Sequence, residues 1–496
     1  MLFPVNAFVG LMSVYSISKT SFLKFEQCAK AFFFYKNHPY LRDKLSIDKQ
    51  LTFKRGHDVG DFAQQLFPGG VDVSKQTKQS AEGVAITAAL INSQAPVIYE
   101  ATFMADGVLI MVDILHFDGT HYRAYEVKSS IKISETYLKD AYLQYYVLKK
   151  SLPGLEDLFL VTLNPDYVLE GELDVKKLFR RRSVKQKAED NLAYFEHKIG
   201  LAHEVLEKNV IPNIPIGRHC FRPYTCDYFG TCWKEVLHED SVFHLPLIDK
   251  NRLFDWYENG VTRISQLRNE DIDKASWIKL KEATVHQTVI VDKPNIERFL
   301  EMVKEPVAAM DMEIWSAAIP QLQQCSPFEQ IPFLACFYNG ETYSHCFSEL
   351  KTDDRHDFAQ ALIHQSEPYA SILVYDKTME VGAINKLIHK FEDCREGLET
   401  LKSKLVDVFD LFLGLSYYDP QFKNNFSLKG VSQVLLQEVA YPKIGSGLEA
   451  MNYFEQYRAA ETDLLKAQIR QELVDYCNTD SLATYGLYTF FKKYRT

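Results

Sequence analysis

The chain has 496 residues, of which 46% are hydrophobic, 13% aromatic and 25% charged. That is enough apolar surface for sizeable cores, so intrinsic disorder is excluded as the overall state, and a prior of roughly 150 residues per domain gives about three domains. With 56 Lys and Arg against 66 Asp and Glu, the formal net charge is −10. This excludes a histone-like, globally basic nucleic-acid binder and leaves room for a local basic groove.

No run reaches the ~18 uninterrupted apolar residues of a membrane-spanning helix. The opening stretch MLFPVNAFVGLMSVYS is apolar but has no charged n-region and no small-residue cleavage site, so no signal peptide is expected. The ordered pattern begins just after Met12, an alternative start. Nine cysteines, odd in number and mostly scattered, argue against a disulfide framework and for the reducing cytoplasm.

Residues 18–235 have a mixed helix and strand pattern. A helical N-terminal stretch precedes residues 97–130, where apolar runs alternate with turns at Asp106-Gly107 and Asp118-Gly119, predicting a three-stranded meander. Residues 135–150 have helical spacing, DLFLVTL is a further strand, and 183–207 is predicted as one long polar-faced helix. Residues 240–300 are short helical segments rich in Asp, Lys and Leu. A second α/β pattern starts near 305 with EPVAAMDMEIW, followed by PFLACFY, ASILVYD and helices to the end.

Within the meander, Asp113 lies inside the apolar run LIMVDIL, where an unpaired carboxylate is costly. One hairpin later comes Glu126-Val127-Lys128. Alternation along a strand puts Glu126 and Lys128 on one face, and the Asp118-Gly119 turn can return them toward Asp113. Two carboxylates on one face can hold a divalent metal, and a lysine beside them can stabilise charge building on a phosphate. Glu100, on the preceding strand, is a further candidate acid. A solvent-exposed charged strand is the plainer alternative.

The D…(D/E)-x-K pattern is that of the restriction-endonuclease-like superfamily, and the segment resembles its RecB-type exonuclease branch. The resemblance implies a role beside the site for Gln144, in the predicted helix AYLQYYVLKK. It also implies a metal-ligand role for an upstream histidine, for which His57 in RGHDVGDF is the candidate. The usual G-x-x-x-H spacing instead falls on Gly60, and a solvated or helix-capping His57 remains open.

Cys220, Cys226 and Cys232 form a C-x5-C-x5-C array in HCFRPYTCDYFGTCW, and Cys28 lies far upstream in FEQCAKAFFFY. Thiolates at regular spacing in a Pro- and aromatic-rich loop select zinc or an iron–sulfur cluster. One distant and three clustered cysteines resemble the clasp of the CRISPR-associated RecB-like exonucleases. That resemblance implies a structural 4Fe-4S cluster held by all four, with Zn as the alternative. The spacing here is wider than that family's, which includes a C-x2-C. The other five cysteines are expected to be core residues.

In VAAMDMEIW, Asp311 and Glu313 are two apart on an apolar strand and share a face. Near the end, DYCNTD puts Tyr476 and Asp480 four apart on one side of a helix. This pair of motifs resembles the tyrosine-containing DEDD exonucleases of the DnaQ-like, RNase H-type fold. The resemblance implies four carboxylates on two divalent metals, Mg or Mn, with the tyrosine orienting the attacking water. The family's N-x-x-F-D appears here as YDKTME, with Asp376 for the asparagine and Glu380 for the aspartate. Asp410, in VFDLF, is a secondary acid.

Taken in order, from about residue 17 to the end, these features resemble a bacterial family of unknown function that combines a RecB-like, cysteine-containing module with an RNase H-like one. The expected fold is therefore α/β, with a restriction-endonuclease-like module over 17–238, a helical connector over 239–303 and an RNase H-like module over 304–496. The run KKLFRRRSVKQK (176–187) holds seven basic residues, a solvated face or a phosphate-gripping patch. Phe221, Tyr224, Tyr228 and Phe229 either stack on bases or pack around the cluster. The expectation is a cytoplasmic, metal-dependent deoxyribonuclease acting on single strands or free ends. An RNase is an alternative, as is a nucleic-acid-binding scaffold with inactive sites.

Overall fold

The computed structural model describes residues 17–495 apart from Thr352, Gln437, Glu438 and Pro442. Met12 and the apolar opening stretch lie outside the described residues. The protein is mixed α/β and divides into two compact units. One is the chain up to Lys234 with Ala318–Pro327, and the other is Glu235–Ala317 with the chain from Phe328 onward. Residues 239–303 belong to this second unit, where Val242, Leu245, Leu253, Trp256, Ile264 and Leu267 form a small core of their own. Among the described residues no helix is long and apolar enough to cross a membrane.

The first unit contains β1 (Ile17–Ser18), β2 (Val71–Asp72), β3 (Val97–Ala105), β4 (Val108–Phe117), β5 (Tyr122–Lys128), β6 (Leu155–Leu163) and β7 (Phe179–Ser183). They form one sheet in the order β2-β3-β4-β5-β6-β7, with β1 added parallel to β4. The expected meander is β3-β4-β5. Asp106 and Gly107 both take the left-handed conformation (φ 48° and 72°), the two-residue turn whose twist matches flanking strands. At the second turn the Asp118 carboxylate accepts the Thr120 and His121 amides at 2.9 and 2.8 Å.

Helices α1 (Lys19–Gln27), α2 (Ala29–Asn37), α3 (Ile47–Ala63), α4 (Ser80–Asn92) and α5 (Glu135–Ser151) belong to the same unit. Strands β5 and β6 are parallel, a pairing that requires a crossover, and α5 supplies it. Its Leu138, Ala141, Leu143, Val147 and Leu148 bury against Ile110, Val112, Ala124, Leu158 and Leu160 of the sheet. The single helix predicted over 183–207 is instead two, Lys185–Asp190 and Leu192–Lys208, and Ser183 ends β7. The charged Arg180–Arg182 run forms an antiparallel edge strand because an edge leaves its side chains in water.

The second unit contains β8 (Ile290–Val291), β9 (Val307–Trp315), β10 (Ile331–Tyr338), β11 (Tyr343–Phe347), β12 (Ser371–Val374), β13 (Leu405–Asp407) and β14 (Tyr417–Tyr418). Five form a mixed sheet in the order β11-β10-β9-β12-β13, antiparallel on one side of β9 and parallel on the other. Strand β9 is central and its two faces have separate cores. Met310 and Met312 pack with Phe358, Ala383, Ile384 and Leu398. Val307 and Ala309 pack with Leu487, Tyr488 and Phe491 of the long helix Asp463–Lys492. By alternation, Asp311 and Glu313 continue the face that carries this long helix.

Candidate active sites and thiol cluster

Past the Ile114–Tyr125 pair, β5 leaves β4 and stays bonded only to β6. The Asp113 side chain takes over the lost ladder position, its Oδ2 accepting the Val127 N–H at 2.6 Å. Glu126 is 1% exposed. Its Oε1 accepts from Lys128 Nζ at 2.6 Å and from Lys19 Nζ at 2.7 Å, while Oε2 is buried with no hydrogen-bond partner. Lys128 also donates to Asp140 Oδ2 at 2.5 Å. Gln144, fully buried one helical turn after Asp140, donates to its Oδ1 at 3.4 Å and leaves its own Oε1 without a partner.

Burial pushes Asp113 well above the carboxylate range, and the Glu126 charge adds to it. Burial acts on Glu126 in the same sense, but Lys128 and Lys19 outweigh it and hold Glu126 well below that range. Lys128 is conversely held charged, because Glu126 and Asp140 outweigh its burial. Glu100 joins the group. Burial and Glu126 raise it to about 7, and its backbone is left-handed (φ 53°) in the middle of β3, an uncommon conformation for a non-glycine residue. It interrupts the ladder between Tyr99–Ile114 and Ala101–Val112, opposite Asp113.

The structure therefore brings together Asp113, Glu126, Lys128, Gln144 and Glu100. His57, on α3, is exposed and shares in no close grouping of ligand atoms with these acids. Lys19 and Asp140 were missed. Lys19 is 107 residues from Glu126 in sequence, and no spacing signals that contact.

Cys28, Cys220, Cys226 and Cys232 line one cavity with Lys30, Ile214, His219 and Tyr228. All four are free thiols, and no three of their sulfurs lie within 4.8 Å of one another. Burial raises the Cys28 and Cys232 thiols and pushes Cys226 up to about 11, with the neighbouring sulfurs adding to each. The Tyr228 hydroxyl is buried there with no partner. Cys28 sits at the α1–α2 junction, and the segment around Cys226 is tied to α1 and to Arg42 beyond α2. Asp227 accepts from Lys24 at 2.6 Å and Arg42 at 2.8 Å, and Gln27 donates to the His219 and Tyr224 carbonyls. Phe221, Phe229 and Trp233 pack on each other and Tyr228 is buried, so of the four candidate aromatics only Tyr224 is well exposed.

The second unit assembles its acids from three elements. Asp311 and Glu313 come from β9, Glu380 from the first turn of the helix Thr378–Lys390, and Asp480 with Tyr476 from the long helix. Burial, then Glu380, pushes Asp311 up to about 7, and burial, then Asp311, pushes Asp480 up to about 8. Glu313 is raised well above its usual range by burial and by Asp311 and Asp480. Burial raises Glu380 to about 7. Asp311 Oδ2 and Glu380 Oε2 are buried without partners. Tyr476 and Tyr441 lie close enough to Asp480 to interact with its charge, and burial, then nearby carboxylates, drives both phenols upward.

Asp376 is exposed and caps the following turn through Thr378, while Asp410 is exposed at the start of a short helix. Neither enters the group. Cys477, expected as an ordinary core residue, is buried with its Sγ within 4.8 Å of ligand oxygens of Asp311 and Glu313, and donates to the Asp311 carbonyl at 3.4 Å. Tyr441 carried no motif and was missed.

Residues 308–427 match the family described as "Domain of unknown function (DUF2779)". The match takes in Asp311, Glu313 and Glu380 and ends before Tyr476 and Asp480. No curated protein matches the chain.

Proposed function

We propose that the chain is a metal-dependent nuclease that hydrolyses DNA phosphodiester bonds, with a RecB-type, restriction-endonuclease-like site in the first unit and a DEDD-type exonuclease site on an RNase H-like second unit. The observation that carries this reading is the four-acid group Asp311, Glu313, Glu380 and Asp480. Crowded carboxylates, each raised by burial, are an arrangement that a bound divalent cation would compensate. The unpartnered Glu126 Oε2, Asp311 Oδ2 and Glu380 Oε2 fit Mg or Mn, which take oxygen donors.

When bound, such a cation supplies phosphate polarisation and an activated water. The chain's own groups do the rest. Asp113 and Glu126 would hold the metal in the first site with Gln144 beside them. Lys128, held protonated, stabilises charge on the phosphate rather than taking a proton. Tyr476, with its phenol pushed upward, keeps its proton and orients the water by a hydrogen bond, while Asp480 positions its ring. Exposed Arg180 and Arg182 pair with Thr162 and Leu160, which pair in turn with Lys128 and Glu126. They therefore share the catalytic face of the sheet and serve as phosphate contacts.

The four thiols support a structural 4Fe-4S cluster. A nucleic-acid-binding scaffold is the second reading, favoured by Glu380 at the position where the DEDD pattern has aspartate.

The test is digestion of end-labelled single- and double-stranded DNA and RNA with Mg or Mn. Lys128→Ala is expected to remove one polarity of cleavage and Asp311→Ala the other. No turnover on any polymer, with salt-sensitive binding retained in both variants, would establish the scaffold instead.

A further inference from the structure

The first unit's site contains a second lysine that the D…(D/E)-x-K pattern does not include. Lys19 opens α1, directly after Ser18, whose hydroxyl caps that helix and whose backbone pairs with Leu109 of β4. The lysine is thus fixed by the sheet. Its Nζ lies 2.7 Å from Glu126 Oε1 and 3.6 Å from Asp140 Oδ2. Lys128 Nζ lies 2.6 Å from the same Oε1.

Two ammonium groups on one carboxylate oxygen repel each other, while the second oxygen stays bare and buried. A purely structural bridge has no reason to crowd one oxygen and leave the other unpaired, since a buried unsatisfied oxygen is costly. Glu100 and Asp113 lie alongside, each influenced by the Glu126 and Lys19 charges, so the lysine reaches into a group of acids. We propose that Lys19 is a positioning residue of the first site, which holds Glu126 in the metal-free protein and is displaced from it by the divalent cation. The inference rests on the reading of Glu126 as a metal ligand. Released from Glu126, the amine remains beside the pocket as a second cation for the phosphate.

The experiment is Mn2+ binding to the full chain, followed by the electron paramagnetic resonance signal of free Mn2+, for wild type, Glu126→Gln, Lys19→Gln and Lys19→Arg. Glu126→Gln is expected to lose one Mn2+ site. Lys19→Gln removes a unit charge that lies 2.7 Å from Glu126 Oε1 and is expected to tighten that site by about tenfold or more, while Lys19→Arg stays within about threefold of wild type. An unchanged or weaker site in folded Lys19→Gln overturns the role of Lys19. If Glu126→Gln costs no Mn2+ site, the reading of Glu126 as a ligand fails first. A measurement on the wild type keeps the proposal testable if Lys19→Gln does not fold. Reductive methylation of Lys19, read by mass spectrometry, is expected to be faster in Mg2+ than in EDTA, and equal rates would overturn the proposal.

Discussion

Replacing Asp311 with Asn should stabilise the metal-free protein at alkaline pH while removing its response to metal. Asp311 is pushed from an ordinary 3.8 to about 7 by burial and by Glu380. Its folded-state value lies above its unfolded one, so the stability of the protonated form is complete below about pH 4 and lost as pH rises through about 7. At 1.36 kcal/mol per unit the ceiling is about 4 kcal/mol. Partial exposure of Asp311 and the sharing of the shift with Glu380 reduce this to about 2 kcal/mol. The Oδ2 atom has no partner to lose. In a unit of this size, about 2 kcal/mol raises the midpoint by roughly 4–8 °C.

The assay is thermal unfolding in EDTA followed by tryptophan fluorescence, since Trp256, Trp277 and Trp315 belong to the second unit and only Trp233 to the first. The variant should melt above wild type at pH 8, and the gap should shrink as pH falls through 7 and close only near pH 4. Mn2+ at about 100 times its dissociation constant should raise wild type by the equivalent of about 2.7 kcal/mol and the variant by much less. A variant that melts below wild type at pH 8, or a gap that does not change with pH, would refute the argument that repulsion among these acids is what the metal relieves.

Two further outcomes are expected. Anaerobically purified protein should contain about four irons and four sulfides per chain, and Cys226→Ser should lose them and lower the first unit's melting temperature. Because the Cys226 thiol is raised to about 11, ligation releases a proton there, and cluster retention should weaken as pH falls. One bound zinc and no iron would refute the cluster. Arg180→Ala with Arg182→Ala should weaken single-stranded DNA binding about equally for all sequences and reduce the slope of log K against log salt by about 1.4. An unchanged slope would remove these arginines from the interface.

Much of the chemistry was legible because it follows strand and helix periods. The two-residue alternation fixed Glu126 with Lys128, and Asp311 with Glu313, on single faces, and the four-residue helical spacing joined Tyr476 to Asp480. The turns at Asp106-Gly107 and Asp118-Gly119 made the meander predictable. The long helix predicted over 183–207 is helical in the structure except for its start, where Ser183 ends β7, and a break at Asn191 that no residue pattern signalled.

The sequence by itself determined which acids, thiols and turns exist and which near neighbours share a face. Tertiary structure alone decided which of them meet. Contacts such as Lys19 with Glu126, Tyr441 with Asp480 and Cys28 with Cys226 join elements far apart in the chain. The exposure of Asp376, Asp410 and His57 is likewise a property of the folded chain and not of their local sequence. The physical reason is that local periodicity is set by backbone geometry over a few residues. The charge on a buried carboxylate depends instead on desolvation and on whichever partners the packed core brings within a few ångströms.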